Sequence, residues 1–146
     1  MATFSRNVTV DWQGPIMQGS GLATAGTGAF ALPVTFPRRI GDPEGGTSPE
    51  ELIAGAHAVC YAMVINAAIG KKGGSIAKTH VTCTVTADKG DAGIKITTSK
   101  LSLTVEGLKG VEPGAFDAFA REAEKGCPVS NALRGSLSIE LETKVQ

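Results

Sequence analysis

The longest apolar stretch of the chain, residues 47–70, predicts one long central helix. Its interior positions are almost all apolar or small, and they are Leu52, Ile53, Ala54, Ala56, Ala58, Val59, Ala62, Met63, Val64, Ile65, Ala67, Ala68 and Ile69. A helix that is apolar on every side is buried inside a protein or in an interface. His57, Asn66 and two glutamates interrupt the stretch, and no basic asymmetry flanks it, so we expect no membrane span.

Capping residues define both ends of this helix. Ser48 is a suitable N-cap, Pro49 suits the first helical position, and Glu51 completes a capping box with Ser48. Gly70 provides the stop, and the lysines after it suit the negative end of the helix dipole. The helix is therefore predicted to carry Cys60 near its middle.

Alternating apolar and polar positions predict strands on both sides of the helix. Short strands precede it within residues 3–11, 16–25 and 29–34, and others follow it at 78–87, 94–105 and 136–145. Further helices are predicted at 113–125 and from Pro128 to about Leu133, whereas prolines and glycines in residues 35–47 indicate a loop. Because tight turns join the strands, we expect antiparallel sheets around a long central helix in an α+β fold. The 146 residues fit a single domain, 1–146.

Two sheets of this size cannot cover every side of an apolar helix. Small residues allow helices to approach closely, and a twofold homodimer is the commonest way to bury such a face. The central helix is therefore predicted to pack against its counterpart in a second copy of the chain.

Charge and composition argue against several classes of function. The formal net charge is +0 and lysines and arginines form no block, so we expect no nucleic-acid partner. The N-terminus lacks the apolar segment of a signal peptide, which favours the cytoplasm. The 3 cysteines and 2 histidines lack zinc-site spacing, and no phosphate-binding glycine motif is present. We expect neither a metal nor a cofactor.

The three cysteines differ in their surroundings. Cys83 lies in mid-strand with valines on the same face, which is typical of a small core residue. Cys127 precedes Pro128 at the N-cap of a short helix, where free N–H groups favour a thiolate; a buried cysteine at a helix junction fits equally well. Cys60, in mid-helix, is either a core residue or a nucleophile whose thiolate requires a nearby cation.

Candidate cations for Cys60 come from the preceding loop and from the helix itself. Arg38 and Arg39 lie on the loop that leads into the helix, where they are either surface residues or binding groups. His57 precedes Cys60 by about one turn. Glu50 is about 15 Å from Cys60 along the helix axis at roughly 1.5 Å per residue. It would therefore orient an arginine or act from a partner chain.

Two motifs resemble those of the OsmC/Ohr proteins. The segment Gly46-Thr-Ser-Pro-Glu-Glu-Leu-Ile-Ala-Gly-Ala-His-Ala-Val-Cys60-Tyr-Ala-Met resembles the central-helix signature of this family. The segment Cys127-Pro-Val-Ser-Asn-Ala-Leu resembles its second cysteine motif. The resemblance covers essentially the whole chain, including residues 11–14 and the hairpin at 88–93.

The resemblance implies a thiol-dependent peroxidase that acts on organic hydroperoxides. His57 and Trp12 make the chain more similar to the OsmC branch than to Ohr. Cys60 would be the peroxidatic cysteine and Cys127 the resolving cysteine, and the two would form a disulfide that an external dithiol or thiol reduces. The family also implies an intertwined homodimer with its active sites at the subunit interface.

The resemblance also assigns roles to residues around the cysteines. Arg39 matches the family's arginine before an apolar residue, and Glu50 matches the first glutamate of its Pro-Glu-Glu-Leu motif. We expect both to be catalytic, and we expect Arg38 and His57 to contact the substrate. The loop after Arg39 is slightly longer than is usual in the family, which leaves open which arginine faces the sulfur.

A second class of function also fits the apolar helix. The chain would form a dimer that binds small apolar ligands without catalysis, and its cysteines would be redox bystanders. Such a binder would keep its affinity in a Cys60→Ser variant, whereas the peroxidase would lose its turnover.

Overall fold

The computed structural model describes residues 1–146. They form two compact units, residues 1–52 and residues 53–146, and the boundary falls within the long helix. Both helices and sheets are present, in agreement with the predicted α+β class.

The first unit contains a three-stranded antiparallel meander of β1 (Val8–Gln13), β2 (Ser20–Ala25) and β3 (Ala31–Val34), in that order. The three strands are those predicted, although β1 starts later and includes Trp12 instead of ending before it. Trp12 pairs with Gly21 across the sheet, and a Cβ at Gly21 would lie 2.8 Å from the indole ring. Glycine at this position therefore gives the ring room to lie over β2.

A short helix, α1 (Phe36–Ile40), replaces the first part of the predicted loop. Thr35 caps it, because its Oγ1 accepts a hydrogen bond from the Arg38 backbone N–H at 3.2 Å. Pro37 had suggested a loop, but it lies in the first turn, where its missing N–H has no helical partner to lose. Arg38 and Arg39 are therefore on a helix and not on an irregular segment.

The long helix α2 (Pro49–Lys71) has nearly the predicted bounds. Ser48 Oγ accepts the N–H of Glu51 at 3.1 Å, which confirms half of the capping box. The other half differs, because the Glu51 carboxylate accepts from the hydroxyl of Thr47 at 2.8 Å. Glu51 therefore has a structural role at the start of α2.

The second unit contains a mixed three-stranded sheet of β4 (Lys78–Gly90), β5 (Gly93–Glu106) and β6 (Ser138–Val145). Strands β4 and β5 form the predicted hairpin. Strand β6 runs parallel to β5, so the expectation of purely antiparallel sheets was wrong here. The two helices between β5 and β6 form a crossover connection, which is what parallel pairing requires.

Helices α3 (Phe116–Glu124) and α4 (Pro128–Leu133) lie between β5 and β6, as predicted, with a 3₁₀ turn at Pro113–Ala115 before α3. The core of this unit joins one face of α2 to the sheet and to both short helices. Its buried members are Tyr61, Ile65, Ile69, Leu101, Leu103, Val105, Phe116, Ala120, Cys127 and Leu141.

Only one face of α2 is buried in the single chain. The opposite side exposes 57% of Val59 and 69% of Met63, and small residues extend this exposed stripe in both directions along the helix. By length and hydropathy α2 could cross a membrane, a property that core helices of soluble proteins share. Its buried face packs into the core described above.

Candidate functional site

Two of the three cysteines lie together in the second unit. Cys60, on α2, is partly buried, and Cys127, at the N-cap of α4, is fully buried. The Cys60 thiol is close enough to the Cys127 thiol and to the backbone N–H of Val129 for both to influence its ionisation. Both cysteines are free thiols, so this arrangement is that of the reduced protein.

The surroundings of Cys60 act on its thiol in opposite directions. Burial is the main reason that the pKa of Cys60 is raised, and the neighbouring Cys127 thiol adds to the rise. A hydrogen bond from the Val129 N–H lowers the pKa. Although Cys60 lies in the middle of α2, the first turn of α4 supplies it with one of the free N–H groups of that helix end. The signal was in the sequence, since Val129 follows Pro128 in the first turn after Cys127.

The arginines of α1 have different partners. Arg39 donates to Glu50, with 2.6 Å between Nη2 and Oε1 and 3.2 Å between Nε and each carboxylate oxygen. Their side chains are 25% and 14% exposed. Arg38 instead lies 3.6 Å from the exposed Glu44. Arg39 therefore forms the shorter and less exposed of the two ion pairs.

The ion pair with Arg39 keeps Glu50 ionised. Hydrogen bonds from Arg39 are the largest cause of its lowered pKa, and burial opposes them. Glu50 belongs to the first turn of α2 and Cys60 to its middle. The structure thus forms two local pairs from the predicted site residues, Arg39 with Glu50 and Cys60 with Cys127.

His57 occupies a position that does not support the predicted contact with a substrate. The residue is completely buried, and both ring nitrogens are engaged. Nδ1 lies 2.6 Å from Ser99 Oγ on β5, and Nε2 lies 2.7 Å from Ser130 Oγ on α4. Burial is the main cause of its lowered pKa, Arg134 acts in the same direction, and Glu124 opposes it. The ring is therefore neutral near pH 7 and has no free nitrogen.

Cys83 packs at the edge of the core, in agreement with its predicted structural role. Its Sγ lies 3.2 Å from Ser99 Oγ, and burial raises the pKa of its thiol. His57, Ser99, Ser130 and Cys83 form a buried polar cluster. No local pattern indicated it, because the two serines come from β5 and α4, far from His57 along the chain. The one sequence signal was His57 itself, because a polar residue within an apolar helix indicates a buried polar contact.

The comparisons with known proteins agree with the fold and with the cysteine motifs. A family model described as OsmC-like protein matches residues 41–142, which include Glu50, Cys60 and Cys127 but neither arginine of α1. The chain is 33% identical to the peroxiredoxin OsmC of Escherichia coli (strain K12), over 97% of this chain and 99% of that protein. It is 25% identical to the organic hydroperoxide resistance protein OhrB of Bacillus subtilis (strain 168), over 86% and 90% of the two chains.

Solved structures with low sequence identity share the fold. An organic hydroperoxide resistance protein from Elizabethkingia anophelis matches with a TM-score of 0.76 at 21% identity, over 100% of both chains. An OsmC protein from Legionella pneumophila matches with a TM-score of 0.71 at 24% identity, over 100% of this chain and 99% of that one. The matched family model and the extent of the Escherichia coli relative together show that the chain belongs to the OsmC-like protein family.

Proposed function

We propose that this protein is a thiol-dependent peroxidase that reduces organic hydroperoxides to alcohols. The observation that carries the proposal is the proximity of Cys60 to Cys127 in a member of the OsmC-like family. Relatives named as a peroxiredoxin and as an organic hydroperoxide resistance protein support the same class of reaction. The apolar surroundings of Cys60 favour an organic peroxide, since burial of an alkyl tail is favourable.

The proposed reaction has three steps: oxidation of Cys60, formation of a disulfide with Cys127, and reduction of that disulfide. The Cys60 thiolate attacks one peroxide oxygen, the O–O bond breaks, and the leaving alkoxide takes up a proton to become the alcohol. Cys60 is thereby oxidised to a sulfenic acid. The Cys127 thiol attacks that sulfur, and a disulfide forms as the hydroxyl leaves as water. An external dithiol or thiol then reduces the disulfide by exchange, which fits a reducing cytoplasm.

A nearby cation would have to lower the pKa of Cys60 for this chemistry, because burial raises it. We assign this role to Arg39, which Glu50 holds in a fixed orientation. The guanidinium would also stabilise the negative charge that develops on the leaving oxygen. The pair acts either on the thiol of its own chain or on that of a partner, and Arg38 would contact the substrate beside it.

The exposed stripe of α2 supports a homodimer, and we propose that residues 1–146 are a single domain of each copy. Val59 and Met63 are exposed in the single chain, although the helix is apolar throughout. Small residues on the same side, including Gly55 and Ala56, would allow a second α2 to approach closely. An interface formed by this stripe would remove it from water.

The test follows oxidation of the thiols after one equivalent of cumene hydroperoxide. Intact-mass and peptide mass spectrometry should detect a Cys60–Cys127 disulfide in the wild-type protein. Cys60→Ser should abolish turnover, Cys127→Ser should stop at one oxidation of Cys60, and Cys83→Ser should behave as the wild type. Unmodified thiols in the wild type, or full turnover in Cys60→Ser, would refute the proposal.

A second candidate is a dimeric binder of small apolar ligands, which the apolar character of α2 favours. It predicts saturable binding of an apolar fluorescent probe with the same affinity in wild type and Cys60→Ser. Binding without any peroxide-dependent oxidation of Cys60 would favour this candidate over the peroxidase.

A further inference from the structure

We propose that His57 and Ser130 are a positioning pair that holds Cys127 against Cys60 for disulfide formation. The inference rests on the proposed peroxidase function and extends it to residues that touch no substrate. The buried hydrogen bond between His57 Nε2 and Ser130 Oγ, 2.7 Å long, is the observation that carries it.

The two members of the pair mirror each other relative to the thiols. His57 lies about one turn before Cys60 on α2, and Ser130 lies about one turn after Cys127 on α4. A turn of helix rises by about 5.4 Å. The hydrogen bond between His57 and Ser130 fixes how far apart α2 and α4 are, one turn away from the cysteines. It therefore also restricts the distance between the Cys60 and Cys127 sulfurs.

The ring of His57 is held from its other side as well. Nδ1 lies 2.6 Å from Ser99 Oγ on β5, and that oxygen lies 3.2 Å from Cys83 Sγ. A neutral imidazole has one donor and one acceptor nitrogen, so one serine donates to the ring and the other accepts from it. With both nitrogens occupied the ring cannot turn without breaking a buried hydrogen bond. It thus provides a fixed anchor for α4.

Helix α4 needs such an anchor. It spans Pro128–Leu133, only 6 residues, and a helix of this length has little stability of its own. Its other side-chain ties are at the surface, where Asn131 donates to the Lys125 carbonyl and Arg134 pairs with Glu124. Ser130, by contrast, is completely buried. The hydrogen bond between Ser130 and His57 is therefore shielded from solvent, unlike those at the surface.

The step that depends on this anchor is the attack of Cys127 on oxidised Cys60. A disulfide requires Cα atoms about 4.4–6.8 Å apart and a defined dihedral angle, so α4 must be held close to α2. In this step the S–S bond forms, the S–O bond of the sulfenic acid breaks, and the hydroxyl leaves as water with the thiol proton. When the step is slow, a second hydroperoxide can oxidise the sulfenic acid to a sulfinic acid.

The experiment compares Ser130→Ala with the wild type in a rapid-quench series with cumene hydroperoxide, followed by mass spectrometry. Sulfenic acid formation should stay within about twofold of the wild type, whereas disulfide formation should slow by about three- to tenfold, the range expected for one lost hydrogen bond. The fraction of Cys60 found as sulfinic acid at excess peroxide should rise. Asn131→Ala, which removes a surface tie of the same helix, is the matched control and should leave both rates unchanged.

A purely structural role of Ser130 would give a different result. If folded Ser130→Ala formed the disulfide at the wild-type rate, or if Asn131→Ala slowed it equally, the positioning role would be refuted but the proposed peroxidase function would not. If the wild type itself formed neither sulfenic acid nor disulfide, the proposed peroxidase function would be refuted. Should Ser130→Ala not fold, His57→Gln removes the imidazole partner of Ser130 from α2 and is judged by the same two rates.

Discussion

Glu50 holds the guanidinium of Arg39 through two nitrogen atoms, with Nη2 2.6 Å from Oε1 and Nε 3.2 Å from both carboxylate oxygens. This geometry fixes the plane of the guanidinium as well as its position. The neighbouring Arg38 has one contact of 3.6 Å, to the exposed Glu44. Two adjacent arginines on α1 are thus held to very different degrees.

The first prediction concerns this difference between the arginines. Arg39→Lys keeps the charge but loses the two-nitrogen geometry. We expect kcat for cumene hydroperoxide to fall by about 10²-fold, at the low end for loss of an oriented donor to a developing oxyanion. Arg38→Lys, at the expected substrate contact, should mainly raise KM. Steady-state kinetics of both variants check the prediction.

The control for both lysine variants is Arg6→Lys, at an exposed arginine near the N-terminus that donates to the Ser5 carbonyl and lies over the ring of Phe4. It should leave both kcat and KM unchanged. Equal effects of Arg38→Lys and Arg39→Lys would contradict the assignment, because the ion pair with Glu50 would then make no difference.

A second prediction follows from the ionisation of Glu50. Because its folded-state pKa is lowered below the usual 4.5, the unfolded chain takes up a proton first as the pH falls. The ion pair therefore contributes its full stabilisation above about pH 4.5, and this is lost as the pH falls through the folded-state pKa. Glu50→Gln should lose about 1 kcal/mol of unfolding free energy at pH 7 and progressively less in acid.

Urea unfolding of the wild type and Glu50→Gln at several pH values tests this dependence. Glu44→Gln, at the exposed and longer ion pair of Arg38, is the matched control and should change stability much less at pH 7. A wild-type advantage over Glu50→Gln that grew on acidification would have the wrong sign and would refute the prediction.

A third prediction concerns the buried His57. Its folded-state pKa is lowered from 6.5, chiefly by burial, so the unfolded chain binds this proton more readily than the folded protein does. Stability should therefore decrease as the pH falls below about 6.5, down to the folded-state pKa, and change little from this cause above it. Urea midpoints between pH 7.5 and 5.5, at roughly 0.5-unit steps around the ordinary histidine range, measure the slope.

Replacing His57 separates its contribution to this slope from that of other groups. His57→Gln should be less stable at every pH, by about 1–3 kcal/mol, because buried serine hydroxyls lose their partner. It should also show a flatter pH dependence than the wild type. His80→Gln, at the exposed histidine of β4, is the control and should keep the wild-type slope. An unchanged slope in His57→Gln would contradict the prediction.

Local signals in the sequence were sufficient to predict most of the elements. The cap residues of α2 and the Cys127–Pro128 start of α4 fixed helix boundaries to within a residue or two, because caps act through neighbouring backbone groups. The clean alternation from Lys78 onwards predicted β4, because successive side chains of a strand point to opposite faces of the sheet. The pairing of β6 was missed because it depends on the path of the crossover, and alternation is the same in parallel and antiparallel strands.

The candidate site was predictable only in part. The cysteine motifs identified Cys60 and Cys127, and the glutamate motif identified Glu50. The engagement of His57 by Ser99 and Ser130 joins three elements that are distant in the sequence, so no local pattern could reveal it. The α1 helix was missed because Pro37, together with the proline and glycines that follow the helix in residues 41–46, outweighed the single cap residue, Thr35, that stabilises it.

The last prediction concerns the exposed stripe of α2. Met63 is 69% exposed in the single chain, near the middle of a face formed by apolar and small residues. A lysine there would place a charge at the centre of the proposed helix–helix interface, where burial of an unpaired charge is strongly unfavourable. Met63→Lys should therefore convert a dimer to a folded monomer, as measured by size-exclusion chromatography with light scattering.

Ala118→Lys is the matched control, since it places the same side chain on an exposed position of α3, and it should remain dimeric. A monomeric wild type, or a Met63→Lys variant that stayed dimeric at micromolar concentration, would contradict the proposed interface. The monomer also reports on the site. If Arg39 acts on the thiol of a partner chain, the folded Met63→Lys monomer should have no peroxide turnover. If Arg39 acts within its own chain, the monomer should retain turnover.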